Sequence, residues 1–109
     1  MEMHLQIEHY NKIKSGKKTV EIRLFDSKRH NLKNGNIIQF YNRKDKTDII
    51  NTQVINLYKF STLDELCVNI DCRKCGFVSN KQLLEITEKF YPLEKQKEFG
   101  VLAIEIERI

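Results

Sequence analysis

Two basic side chains and one carboxylate follow a glycine at close spacing near the start of the chain. Lys18 comes two residues after Gly16, and Glu21 and Arg23 follow it. Arginine donates two parallel hydrogen bonds to a phosphate, and lysine presents a compact positive charge. A carboxylate repels phosphate, so Glu21 either pairs with a cation or accepts a proton or a base amino group. The segment predicts a site for an anionic, nucleotide-like ligand.

The residues around this carboxylate alternate between apolar and polar, which predicts a β-strand over residues 19–25. Glu21 and Arg23 share the outward face of that strand with Thr19. Gly16 permits a left-handed turn, which presents Lys18 at the mouth of the strand. We therefore expect Lys18, Glu21 and Arg23 to converge on one solvent-open concavity.

A second candidate contact lies at a basic hairpin tip, where Tyr41 stands two residues before Arg43. This pair could stack an unpaired base and hold its backbone. Alternatively, Tyr41 packs only on its neighbours. The residues that we expect to contact nucleic acid are Gly16, Lys17, Lys18, Glu21, Arg23, Tyr41 and Arg43.

Positive charge is concentrated in the half of the chain that holds the Gly16 turn. Residues 1–47 contain 11 Lys and Arg against five acidic residues, whereas residues 48–109 contain eight against ten. A basic surface attracts polyanions, and nucleic acid is the commonest polyanion in the cytosol. The charge pattern favours RNA or a nucleotide-like ligand as the partner.

Cysteines and histidines offer weaker signals. Cys67, Cys72 and Cys75 have the spacing of three ligands of an iron–sulfur site, but the chain has no fourth cysteine. We expect free thiols, no metal and no cofactor. His9 falls on the first predicted helix and His30 in a polar loop, where surface or capping roles are expected.

Length and composition indicate one domain of 109 residues. The sequence has no apolar run long enough for a bilayer and no signal-peptide pattern, so we expect a cytoplasmic protein that does not contact membranes. Oligomeric state is left open by these features.

The hydrophobic periodicity predicts four or five strands, at residues 19–25, 37–41, 49–58 and 101–108, with a short one that could form at residues 3–7. The strands at residues 37–41 and 49–58 form a hairpin. Helices are expected at residues 8–15, after Ser61, and at residues 80–91. This order, without strict alternation of strand and helix, predicts an α+β fold with a small mixed β-barrel and surrounding helices, because closure removes exposed edges.

The helix at residues 80–91 carries a capping box and a hydrophobic staple. Ser79 and Gln82 form the box, and Val78 and Leu83 form the staple. Pro92 ends the helix. The residues expected to face the core are Leu83, Ile86, Thr87 and Phe90. The last strand is expected to alternate, with Leu102, Ile104 and Ile106 opposite Glu105 and Glu107.

The spacing of Gly16, Lys18, Glu21 and Arg23 resembles the Gly-x-Lys-x-x-Glu-x-Arg signature of the ASCH domain, a PUA-like family. The segment 32–40 resembles the family's entry to the next strand, with Asn36 in place of the usual Asp, and residues 99–104 resemble its closing strand. The resemblance covers nearly the whole chain. It implies a single ASCH domain over residues 1–109, a PUA-like barrel around a cleft, and RNA binding.

A branch of this family resembles a class of enzymes, the small amidohydrolases that act on N4-acetylcytidine. The resemblance implies a Lys in the turn, which Lys18 matches, a Thr three residues later, where Glu21 stands, and a distant Glu, near Gly76. Thr19 could supply the missing hydroxyl. The leading hypothesis is a binding domain without catalysis. The alternative is a small hydrolase, an amidohydrolase or a ribonuclease, that uses Lys18 with Glu21 or Thr19.

Overall fold

The computed structural model describes all residues, 1–109. The strands are β1 (Glu2–Leu5), β2 (Val20–Leu24), β3 (Ile37–Asn42), β4 (Ile49–Phe60) and β5 (Val101–Arg108). The helices are α1 (Ile7–Lys14), α2 (Leu63–Asn69), α3 (Asn80–Phe90) and α4 (Leu93–Phe99), with a 3-10 helix at Cys72–Cys75. None of these helices has the length and apolar character needed to cross a membrane.

One mixed sheet contains all five strands in the order β1-β3-β4-β5-β2. β1 pairs with β3 in parallel, and the other three pairings are antiparallel, including the expected β3–β4 hairpin. The sheet forms a half-barrel with β1 and β2 at its two edges. The α+β, PUA-like prediction is confirmed, with the difference that the barrel stays open between these two edge strands.

β5 keeps the predicted alternation, with Leu102, Ile104 and Ile106 opposite Glu105 and Glu107, but over its first half it is buried on both faces. Leu102, Ile104 and Ile106 join a core cluster with α1, whereas Val101 and Ala103 join a second cluster with α2 and α3. Strand residues alternate between faces, so these two clusters lie on opposite sides of β5. Apolar residues at successive positions of β5 are therefore buried as far as Ile104. At Glu105 the face that carries Val101 and Ala103 becomes partly exposed.

Helix α3 begins as predicted, but its faces differ from the prediction. The Ser79 hydroxyl accepts a hydrogen bond from the Gln82 N–H at 3.1 Å. Val78 is 81% exposed and forms no staple; its N–H donates to the Gln82 side chain instead. Ile86 and Phe90 are exposed, because the core takes only the Leu83 and Thr87 side of the helix.

Helix α2 begins one residue later than expected, because the cap is Thr62 and not Ser61. The Thr62 hydroxyl accepts from the Glu65 N–H at 3.2 Å, which satisfies one of the free N–H groups of the first turn. Ser61 is exposed, and its N–H donates to the Glu65 carboxylate at 3.4 Å.

Helix α4 was not predicted from the sequence. Pro92 ends α3 and also caps α4, which buries the polar side chain of Gln96. The Leu63 N–H donates to Gln96 Oε1 at 2.8 Å, and Gln96 Nε2 donates to the Tyr91 carbonyl at 2.8 Å. One carboxamide thus joins the start of α2 to the segment between α3 and α4.

Gln96→Leu should lower the free energy of unfolding by about 2 kcal/mol or more, because it leaves a backbone donor and a backbone acceptor without partners. Urea unfolding measures this change. Lys95→Leu, at an exposed position of the same helix, is the control and should change stability by less than about 0.5 kcal/mol. Equal effects of the two substitutions would contradict a structural role for the Gln96 hydrogen bonds.

Candidate functional site

A cleft lies where the edge strands β1 and β2 approach each other. Arg23 Nη2 of β2 donates to the His4 carbonyl of β1 at 3.2 Å, so a side chain bridges the two edges that no backbone pairing joins. The cleft volume is about 170 Å³, which is smaller than the usual pocket of a drug-sized ligand. Its lining residues are His4, Leu5, Gln6, His9, Lys18, Glu21, Ile22, Arg23, Arg43, Phe77, Ile86, Thr87, Phe90 and Tyr91.

The predicted trio Lys18, Glu21 and Arg23 lies together on this cleft. Lys18 Nζ is 2.8 Å from Glu21 Oε1, and Arg23 Nε donates to Glu21 Oε2 at 2.7 Å. The side chains are 3%, 6% and 16% exposed in sequence order. The three side chains converge as predicted, but their strand face is nearly closed off and not solvent-open, since residues of α1 and α3 flank it.

The Glu21 carboxylate is held in its ionised form. Burial alone would raise its pKa, but the charges and hydrogen bonds of Lys18 and Arg23 outweigh burial and lower the pKa to about 2. A carboxylate with so low a pKa is a weak proton acceptor at neutral pH. The sequence left Glu21 either as a partner in an ion pair or as an acceptor for a proton or a base amino group. The geometry favours the ion pair.

His9 contacts the group formed by Lys18, Glu21 and Arg23, and not the surface or a helix cap as predicted from its sequence position. Lys18 Nζ lies 2.8 Å from His9 Nδ1, and the ring makes an edge contact with Phe77 at a centroid distance of 5.5 Å. Burial and the nearby Lys18 charge lower the pKa of His9 to about 4, so the imidazole is neutral at physiological pH. No spacing rule reveals this contact, because the turn at Gly16 sets how α1 faces Lys18.

The two candidates at the hairpin tip, Arg43 and Tyr41, differ in their position relative to the cleft. Arg43 is exposed and lines the cleft, but Tyr41 does not line it. The Tyr41 hydroxyl donates to Glu2 Oε1 at 3.1 Å, and its ring lies 5.4 Å from the ring of His4. Tyr41 thus packs on its neighbours, the alternative that the sequence left open.

The remaining predicted residues lie beside the cleft and do not line it. Gly16 has a φ of +81°, which is the left-handed turn expected after α1. Lys17 is exposed on that turn. Thr19 is partly buried, and its backbone N–H donates to the Lys74 carbonyl at 2.8 Å. The hydroxyl proposed for a hydrolase is therefore not on the cleft wall.

The three cysteines are free thiols, with Cys75 buried and Cys67 and Cys72 partly buried. Burial raises the pKa of Cys75 to about 12, so its thiol is protonated at neutral pH. The side chains form no group of three or more His, Cys, Asp or Glu that could hold a metal ion.

A half-barrel sheet with a charged cleft between its edge strands is a PUA-like arrangement. The chain belongs to the ASCH domain family, whose model matches residues 3–109. It is similar to the crystal structure of hypothetical protein PH0355, with 35% sequence identity and a TM-score of 0.86. The match covers 99% of this chain and 97% of that one. It is also similar to the solution NMR structure of protein PF0455 from Pyrococcus furiosus, with 33% sequence identity and a TM-score of 0.77. That match covers 99% of this chain and 96% of that one. Among curated proteins, none matches the chain.

Glu21→Gln should lower the free energy of unfolding by about 3 kcal/mol at pH 7, because it leaves Lys18 and Arg23 without a buried counter-charge. Glu85→Gln is the control: Glu85 pairs with Lys81 at 4.0 Å on the exposed face of α3 and should contribute less than about 0.5 kcal/mol. Urea unfolding midpoints at pH 7 separate the two variants.

The stabilisation by Glu21 also has a defined pH window. It is complete above the unfolded-state pKa, near 4.5, and is lost as the pH falls through about 2, where the folded-state carboxylate protonates. The stability difference between the parent and Glu21→Gln should therefore shrink by about half between pH 7 and pH 3. A difference that stays constant over this range would contradict the low pKa.

Proposed function

We propose that the cleft between β1 and β2 binds single-stranded RNA or a nucleotide-like ligand, without catalysis of its own. The observation that carries the proposal is an unbalanced buried charge. Lys18 and Arg23 share one carboxylate, that of Glu21, and the fourth member, His9, is neutral. The floor of the cleft therefore keeps one net positive charge, which favours an anionic ligand.

Basic residues around the cleft extend this attraction to the surface. Arg43 is exposed at the cleft, and Lys17 is exposed on the turn that precedes Lys18. Such side chains contact phosphates without reading sequence, and they position a strand. Membership of the ASCH family agrees with nucleic-acid binding but does not name the ligand.

The size of the cleft limits what enters it. A volume of about 170 Å³ accommodates one small group, and a folded RNA or a duplex is far larger. An unpaired strand can place one nucleotide in the cleft while its neighbours lie on the basic rim. The proposal is therefore for single-stranded RNA, recognised one nucleotide at a time at this position.

The hydrolase alternative has less support from the geometry. Gly76 stands near the position where the enzyme branch implies a Glu. A Cβ there would lie 3.1 Å from Lys18 Cδ, so a larger residue would displace the Lys18 side chain by a few tenths of an ångström. Glu21 is a weak base, and Thr19 does not line the cleft. Of the three groups that the enzyme branch implies, the cleft holds only the lysine, and that lysine is already paired with a carboxylate.

RNA affinity should fall as salt concentration rises. On a single strand, each phosphate contact contributes about 0.7 to the slope of log affinity against log salt. Arg43→Ala and Lys17→Ala should each lower the affinity for an eight-nucleotide single-stranded RNA and reduce the slope by about 0.7. Lys97→Ala, an exposed position on α4 outside the cleft, should change neither value. Salt-independent binding would point away from this surface.

Catalysis is tested with N4-acetylcytidine, followed by chromatography for cytidine. We expect no turnover by the parent protein, and Thr19→Val should behave like the parent in RNA binding. Cytidine formation by the parent that is lost in Lys18→Met, with the fold checked by circular dichroism, would replace the binding proposal by the hydrolase. Formation that is unchanged in Lys18→Met would come from a contaminant, because that substitution removes the candidate amine.

A further inference from the structure

Three polar atoms on the cleft wall have no protein partner. They are His9 Nε2, Thr87 Oγ1 and the Tyr91 hydroxyl, none of which takes part in a protein hydrogen bond. The only buried side-chain nitrogen or oxygen without a partner is Arg29 Nε, so these three atoms are reachable by solvent or ligand. Beside them, the ring of Phe90 is 59% exposed.

We infer that one unpaired nucleobase enters the cleft, stacks on Phe90 and accepts a hydrogen bond from His9 Nε2–H. This inference rests on the proposed function, and it assigns the part of the nucleotide that the cleft takes. Neither residue was a site candidate from the sequence, since His9 was expected at the surface and Phe90 in the core.

The contact with Lys18 makes His9 a neutral donor of fixed orientation. Lys18 Nζ is paired with the Glu21 carboxylate at 2.8 Å, so it is an ammonium group, which can only donate. His9 Nδ1, 2.8 Å from that ammonium, must accept, and the ring proton is therefore on Nε2. Phe77 holds the edge of the ring. The cleft thus presents an uncharged N–H, suited to a carbonyl oxygen or ring nitrogen of a base.

Phe90 supplies the surface on which a base can stack. It lies four residues after Ile86, so both project from one side of α3, and both line the cleft. The core side of the helix is occupied by Leu83, whereas Thr87 is buried and also lines the cleft. An exposed aromatic ring in a cleft with polar groups beside it is the arrangement that binds unpaired bases in single-stranded RNA.

The same features favour a base over a phosphate inside the cleft. Lys18 and Arg23 are already paired with Glu21, and the groups beside them are the apolar Phe90 and Ile86 and the uncharged donor of His9, whereas a phosphate is held best by free charged donors. The net positive charge of the cleft then acts on the phosphate of the adjacent nucleotide. Arg43, which is exposed at the cleft, is placed to hold the phosphate of an adjacent nucleotide. The base therefore goes in and the backbone stays at the rim.

Two substitutions at His9 separate ligand contact from positioning of Lys18. The Asn in His9→Asn places an oxygen near Nδ1 and keeps an acceptor for Lys18, but it loses the Nε2 donor. His9→Gln keeps a donor near Nε2 and loses that acceptor. For fluorescein-labelled octauridylate measured by anisotropy, we expect about fivefold weaker binding by His9→Asn and a change within about twofold for His9→Gln. The reverse order would overturn the inference. His30→Asn, at an exposed histidine outside the cleft, is the control.

Stacking is tested with the same octauridylate. Phe90→Leu keeps apolar volume and removes the ring, and it should weaken binding about tenfold, whereas Phe90→Tyr should bind like the parent. The control is Tyr58→Leu, an exposed aromatic outside the cleft, which should have no effect. Octauridylate binding that is unchanged in Phe90→Leu would overturn the inference and leave the proposed function standing. No binding by the parent would overturn both.

Discussion

The structure around the cleft depends on one buried carboxylate held between two cations. A charge removed from water is costly unless it is paired and hydrogen-bonded, and Glu21 meets both requirements through Lys18 and Arg23. The pairing also has a structural reach. Lys18 belongs to the turn after α1, and Arg23 of β2 also donates a hydrogen bond to the His4 carbonyl of β1. The three charged residues therefore join the two edge strands of an open sheet.

This pairing determines the character of the site. Because one carboxylate is shared by two cations, the cleft keeps positive charge. His9 remains neutral because burial and the nearby Lys18 charge lower its pKa. The result is a surface with separate charged and uncharged donors next to apolar side chains of α3. Nucleotides have the same division between an anionic backbone and a flat, weakly polar base, and this correspondence is the chemical basis of the proposed function.

Burial of the charged group follows from where the helices pack. β5 is covered on both faces, by α1 on one side and by α2 and α3 on the other. β2 lies next to β5, so the same helices flank its polar residues and enclose them in a cleft. Ile86 and Phe90 lie on the side of α3 that does not pack against the core, and this exposed side forms one wall of the cleft.

The sequence by itself determined the strands, the α+β class, the family resemblance and the grouping of Lys18, Glu21 and Arg23, because period-two alternation and a glycine turn are local signals. It did not determine whether a strand face is covered. That depends on distant elements, so the burial of Glu21, the exposure of Phe90, the position of Tyr41 outside the cleft and the helix α4 after Pro92 were decided only by tertiary packing. The His9–Lys18 contact has the same origin: two residues on different elements meet because the fold places α1 beside the start of β2.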